Sequence, residues 1–305
     1  MLRKLLLYLS SAAWARRMVT QWGVARRMAR RFIAGETIDD ALQASRELNR
    51  RGLLVSLDYL GESVHQPEDT IEVVETYRRL LDSIAREQLQ ASVSLKLTHL
   101  GLDISEELCQ GNLRRILSEA QPRHIPVTID MESSAYTETT LRIYRTMRDE
   151  YGFTNVGTVI QAYLRRTPAD MEQLGAEGAR IRLCKGAYLE PPEAALPEKA
   201  DVDAQYVQVM KRFLSAPPPA YLEIATHDER IIEQAQEAVK GLPQDRYEFQ
   251  MLYGIRDARQ AELASAGYQV RAYVPFGEAW YPYFMRRLAE RPANLWFFVR
   301  SFVQR

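Results

Sequence analysis

The chain has 305 residues, 46% of them hydrophobic and 26% charged, which excludes a disordered chain and supplies enough apolar mass for a full core. Forty basic residues balance forty acidic ones, so no whole-chain electrostatic footprint points to nucleic acid. Cys109 and Cys184 are the only cysteines and stand in no metal-spaced cluster, which excludes a disulfide scaffold and fits a reduced, cytoplasmic setting without a catalytic metal.

The first 35 residues hold eight of the forty basic residues and no acidic one, leaving 32 basic against 40 acidic, net −8, for the rest. MLRKLLLYLSSAAWA shares a basic end and a short apolar run with signal peptides, yet an amphipathic basic pattern continues to Ile33. The expectation is a helical arm, either lying on an anionic membrane surface or packed on the main domain with its basic side exposed. No stretch approaches the ~20 apolar residues of a transmembrane helix. Gly35 ends the arm's last helix, and Thr37 with Asp40 forms a capping box for a helix carrying Ile38, Leu42 and Leu48.

From Leu53 onward, β-rich runs alternate with amphipathic helical stretches. Eight runs are expected as strands: Leu53–Asp58, Ser92–Leu97, Ile125–Asp130, Val156–Gln161, Arg180–Lys185, Ala220–Thr226, Tyr247–Leu252 and Tyr268–Val274. Helix starts are expected at Ser105 and at Thr167-Pro168, and Ala216 to Pro219 reads as a rigid turn into the sixth run. Eight alternations over ~250 residues favour a (βα)8 barrel over residues 51–305, behind a helical arm over residues 1–50; a doubly wound sheet is the alternative. No GxGxxG or GxxxxGK[ST] motif follows the early strands, which argues against that sheet and its phosphate loop.

A barrel places its site at the C-terminal ends of its strands. Those ends are polar here: Asp58, Lys96, Asp130, Gln161, Arg182 with Lys185, Thr226 with His227, Gln250 and Tyr273. Alternation in SVSLKLT sends Ser94 and Lys96 inward, where a lysine needs a carboxylate or an anionic ligand. Two blander readings stay open: Asp130 only pairs with Lys96, and Thr226-His227-Asp228 only caps the next helix. Beyond the last strand, Tyr283, Arg286, Arg287 and Glu290 share one helical face. Paired guanidinium forks suit a carboxylate or phosphate, with tyrosines enclosing an apolar part, though an exposed Arg-Glu face is equally consistent. Counted together, Lys96, Arg182, Lys185, Arg286 and Arg287 outnumber Asp130, Glu62 and Glu290, a cationic excess suited to an anionic substrate and a phosphorylated cofactor.

SLKLTHLGLD, TIDMES, VIQAYLRRT, RIRLCKGAYLEP, ATHDERI, YEFQMLYG and YFMRRLAE follow one another in an order that resembles the proline dehydrogenases, from about Gly35 to Arg291. The resemblance covers both the short single-function enzymes and the catalytic domain of bifunctional proline-utilisation proteins. It implies a distorted TIM-type barrel holding FAD noncovalently, with the last helix over the site. L-proline would be oxidised to 1-pyrroline-5-carboxylate by hydride transfer from C5 to flavin N5, the first step of proline degradation, with electrons passing to a membrane quinone. It assigns Arg286, Arg287 and Lys96 to the substrate carboxylate, and Tyr273, Tyr283, Tyr188, Ala187 and Leu252 to its ring. Arg182 falls near N5 and Gln161 near the pyrimidine edge. Lys185, Gly186, Ala187, Met131, Thr226 and His227 hold the rest of FAD, while Asp130 orders its neighbours. Glu62 would pair with Arg286 as a gate. Leu189 departs from the tryptophan that follows KGAY in bifunctional members. The chain also lacks an aldehyde-oxidising domain, which implies that the product passes to a separate dehydrogenase. Two other classes remain: a barrel lyase using Lys96 or Lys185 as a Schiff base, and a non-catalytic amino-acid binding module attached to membrane.

Overall fold

The computed structural model describes residues 29–290, apart from the side chains of Arg286, Leu288, Ala289 and Glu290. The proposed membrane arm up to residue 28, the C-terminal residues, and the side-chain roles expected of Arg286 and Glu290 therefore lie outside the described residues.

Helix α1 (Ile38–Arg50) leads into β1 (Leu54–Tyr59), and seven helix–strand pairs follow. They are α2 (Pro67–Arg86) with β2 (Ala91–Leu95), α3 (Glu106–Ala120) with β3 (Val127–Ile129), α4 (Thr137–Arg145) with β4 (Val156–Gln161), α5 (Thr167–Ala176) with β5 (Arg180–Cys184), α6 (Lys199–Leu214) with β6 (Tyr221–Ala225), α7 (Glu229–Ala238) with β7 (Tyr247–Leu252), and α8 (Asp257–Ser265) with β8 (Val270–Phe276). All eight strands are parallel, and β8 pairs with β1 to close the barrel. That closure rules out the doubly wound sheet, whose edges stay open.

Alternation within each strand separates two environments. Val55, Leu57, Val93, Leu95, Ile181, Leu183, Leu222 and Ile224 are fully buried on the outer face, where they meet Tyr77, Leu80, Leu113 and Ile116 of the surrounding helices in one core cluster. Each such side chain contributes roughly 1.5–3 kcal/mol by leaving water. The inner face carries Ser56, Ser94, Arg182, Glu223, Glu248, Gln250 and Arg271, all buried. Strand register sets these side by side: Arg182 is level with Glu223, Glu223 with Glu248, and Gln250 with Arg271.

The expected helix starts hold in all three places. Thr37 Oγ1 accepts from Asp40 N at 3.1 Å while Asp40 Oδ2 accepts from Thr37 N at 3.0 Å, a complete capping box. Ser105 accepts from Leu108 N. Thr167 is the first helical residue, followed by Pro168 in the first turn, and its hydroxyl donates to Gln161 O at 2.6 Å, tying the helix to the end of β4.

Helix α9 (Trp280–Glu290) lies beyond β8. Trp280, Tyr281, Phe284 and Met285 pack with Ala29, Phe32, Ile33, Leu60 and Ile255 in a second apolar cluster, and Trp280 Nε1 donates to Glu36 Oε1 at 3.2 Å. This anchoring fixes the rotation of the helix, so Tyr283 and Arg287 face the strand ends.

Candidate active site

A cavity of about 460 Å³ opens at the C-terminal ends of the strands, where a barrel concentrates its reactive groups. Of the expected site residues, Lys96, Asp130, Met131, Gln161, Arg182, Lys185, Gly186, Ala187, Tyr188, Thr226, His227, Leu252, Tyr273, Tyr283 and Arg287 all line it. Glu62 does not; it is exposed and borders a neighbouring cavity that shares Lys96 and Tyr283 with the first. Leu189 stands outside the lining and is 60% exposed.

Asp130 does more than pair with Lys96. It accepts from Arg182 Nη1 at 2.7 Å and from the Tyr273 hydroxyl at 2.6 Å, with Lys96 Nζ 3.6 Å away. Lys96 Nζ instead donates to both oxygens of Asp58 at 3.1 Å. Burial alone would lower the Lys96 pKa, but Asp58 and Asp130 more than reverse it and hold the ammonium charged. Lys185 Nζ is held between Asp203 at 2.5 Å and Asp228 at 2.7 Å. Burial of Asp228 is likewise outweighed, and Lys185 and Lys199 keep its carboxyl down at about 2. With the Lys96 ammonium held charged and Lys185 Nζ engaged by two carboxylates, the Schiff-base alternative loses its support.

Arg182 is saturated from below. Its Nε donates to Gln250 Oε1 at 2.6 Å and lies 3.2 Å from Glu223 Oε2, while Nη2 donates to Ser94 Oγ at 3.0 Å. A deeper layer follows, in which Arg271 Nε and Nη2 donate to Glu248 at 2.5 and 2.9 Å. The expected cationic excess is thus smaller than the strand ends imply, because Asp58, Glu223, Asp203 and Asp228 each take up a described cation. Glu223, Glu248, Arg180 and Arg271 escaped the sequence reading, although the alternation applied to SVSLKLT would have turned them inward with Arg182 and Gln250. The capping reading of the sixth loop holds beside the functional one: Asp228 Oδ1 accepts from Arg230 N at 3.2 Å, while His227 Nε2 accepts from Leu252 N at 2.9 Å at the cavity wall.

The loop after β5 shows why glycine follows Lys185. Gly186 has φ 114°, and a Cβ there would meet the Tyr163 ring at 2.3 Å. The backbone of KGAY therefore lies against Tyr163 on one side and lines the cavity on the other. With the Gln161 amide, the Lys185 ammonium and the Thr226 hydroxyl beside it, this wall fits a long, polar, phosphate-bearing ligand such as FAD.

Two further residues brace the rim. Glu132 accepts from Thr98 N at 3.2 Å and Thr98 Oγ1 at 2.6 Å, and Thr98 Oγ1 in turn accepts from Ser63 N at 3.1 Å, next to Glu62. Burial pushes the Glu132 carboxyl up to about 7, against the lowering by Thr98. A carboxyl raised on folding binds its proton more tightly in the native state, so stability falls as pH rises from the unfolded value near 4.5. Up to about 3 kcal/mol should be lost between pH 4.5 and 7. Urea unfolding across that range should show the decline, and Glu132→Gln should flatten it.

A family model for proline dehydrogenase matches residues 41–300. The chain is 43% identical over 308 residues to Proline dehydrogenase 1 of Bacillus subtilis subsp. natto, covering all of both chains. It is 40% identical to the proline dehydrogenase of Deinococcus radiodurans, over 91% of this chain and 90% of that one. Among solved structures, proline utilization A from Bdellovibrio bacteriovorus, inactivated by N-propargylglycine, aligns at a TM-score of 0.82 with 25% identity, over 95% of this chain and 36% of the longer protein.

Proposed function

The chain belongs to the proline dehydrogenase family, and from that premise we propose that it binds FAD in the strand-end cavity and oxidises L-proline to 1-pyrroline-5-carboxylate. The observation that carries this reading is the meeting, in one cavity, of Lys96, Arg182, Lys185 and Arg287 with three tyrosines and a glycine-led polar wall. FAD, when bound, supplies the hydride acceptor at N5 for the hydrogen leaving proline C5.

The chain's own residues bind and orient. Arg287, 5.1 Å above the Tyr283 ring, and Lys96 clamp the substrate carboxylate, and Arg286 is assigned to the same task. Tyr188, Ala187, Leu252, Tyr273 and Tyr283 enclose the ring, which turns binding into orientation. Arg182 supplies positive charge to the N5 end of the flavin. Gln161, Met131, Lys185, Gly186, Ala187, Thr226 and His227, which line the same cavity, would hold the cofactor, Gln161 at its pyrimidine end. Asp130 positions Arg182 and Tyr273 by accepting from both. Glu62 closes the neighbouring cavity as a gate with Arg286. Electrons leave to a quinone, with the basic arm as a peripheral contact on the cytoplasmic face of the membrane, and the product goes to a separate pyrroline-5-carboxylate dehydrogenase.

Arg287→Met tests the carboxylate clamp. A hydrogen bond to a charged group is worth about 1.5–3 kcal/mol, so KM for L-proline should rise roughly 10- to 150-fold with a smaller change in kcat. Steady-state kinetics with KM unchanged would remove Arg287 from the substrate site and, with it, the proposed orientation of proline.

A further inference from the structure

Glu223 is absent from the cavity wall, yet it controls a residue that is present there. Resting on the flavoenzyme reading above, we propose that Glu223 is a positioning residue which, through Arg182, sets the reduction potential of the bound flavin. The Glu223 side chain is 2% exposed on β6. Its Oε2 lies 3.2 Å from Arg182 Nε and accepts from Gln250 Nε2 at 2.6 Å, and the other end of that amide accepts from the same Arg182 nitrogen. Its Oε1 accepts from Arg180 Nε at 2.6 Å. One carboxylate is thus shared between Arg182, which faces the cavity, and Arg180, whose side chain is 24% exposed and which does not line it.

Asp130 holds the opposite edge of the Arg182 guanidinium at 2.7 Å. The cation is bracketed by two carboxylates in a nearly dry interior, where charge is weakly screened. How much positive charge it presents to the cavity depends on how far Arg180 engages Glu223. Burial works against the Arg182 charge, and Glu223 with Asp130 outweighs it. Two opposite consequences follow. Glu223→Gln removes the shared negative charge, and its amide oxygen still accepts from Arg182 and Gln250 while Arg180 turns to Glu248, 3.7 Å away. The more positive cavity favours the electron-rich flavin and raises its potential. Arg180→Gln leaves Glu223 wholly to Arg182 and lowers the potential.

The test loads wild type, Glu223→Gln and Arg180→Gln with FAD and measures each midpoint potential by dye equilibration, together with KM for L-proline. A rise in the first variant, a fall in the second and KM within twofold of wild type in both support the assignment. Potentials equal to wild type, or shifted in the same direction as a merely loosened core would shift them, overturn it. If Glu223→Gln fails to fold, Arg180→Gln decides alone: a lowered potential supports the assignment, an unchanged or raised one overturns it. A wild-type chain that cannot take up FAD overturns the flavoenzyme reading itself, and is seen before any variant is compared.

Discussion

Arg182→Met is expected to lower kcat for L-proline by roughly 10²- to 10³-fold, the range found when one preorganised electrostatic group is removed. Arg182 is the cation through which Asp130, Gln250, Glu223 and Ser94 converge on the cavity. The same change leaves two buried carboxylates without their shared partner, a situation worth about 3–5 kcal/mol of destabilisation. Arg182→Lys separates the two effects. It restores a charge but not the planar fork that reaches Asp130, Gln250, Glu223, Ser94 and Ser56, so most of the stability should return while kcat stays well below wild type. Stopped-flow reduction by proline, set beside urea unfolding of both variants, measures each part.

Arg271→Met should have the largest effect on the fold. Glu248 is fully buried and accepts from Arg271 Nε and Nη2. Burial alone would raise its pKa, and Arg271 with Arg180 holds it down at about 2. Without Arg271 the carboxylate loses its bidentate partner and keeps only the more distant Arg180, 3.7 Å away, among the described cations, and unfolding free energy should fall by about 3–5 kcal/mol. Arg271→Met combined with Glu248→Met should recover much of that loss, since removing both partners of a buried pair is often nearly neutral. Equilibrium urea unfolding of the two variants provides the comparison, with folded Arg271→Met still binding flavin because neither residue lines the cavity.

The barrel was legible in the sequence because each strand advertises itself twice, by β-rich composition and by a polar residue at its carboxyl end. Val156–Gln161 and Tyr247–Leu252 match their expected limits. The third strand begins at Val127, where Ile125 was expected, since Pro126 has no N–H to donate to a ladder. The eighth runs on to Phe276 past the expected Val274, and its register with β1 continues through Pro275. At the site, the identity of the lining was readable from the motif order, whereas its electrostatics were not. Alternation states that Arg182 and Glu223 point inward; only the register of the closed barrel states that they lie level, where they meet at 3.2 Å and share Gln250 as a partner. For the same reason the cationic excess drawn from strand ends was too large, because Asp203 reaches Lys185 from α6, a helix whose docking no strand pattern reveals. His99 shows a related limit. Buried beside Lys96, its pKa is pushed down to about 4 by burial first and Lys96 second, so it is neutral at physiological pH, a state its place in SLKLTHLGLD does not disclose.

The most direct test of the account is the visible spectrum of the FAD-loaded protein under anaerobic conditions, before and after L-proline or D-proline. Flavin bands that bleach with L-proline and persist with D-proline are the predicted result, joining cofactor, substrate and direction of hydride transfer in one observation. A protein that FAD cannot reconstitute, or a bound flavin that L-proline leaves oxidised, would contradict it.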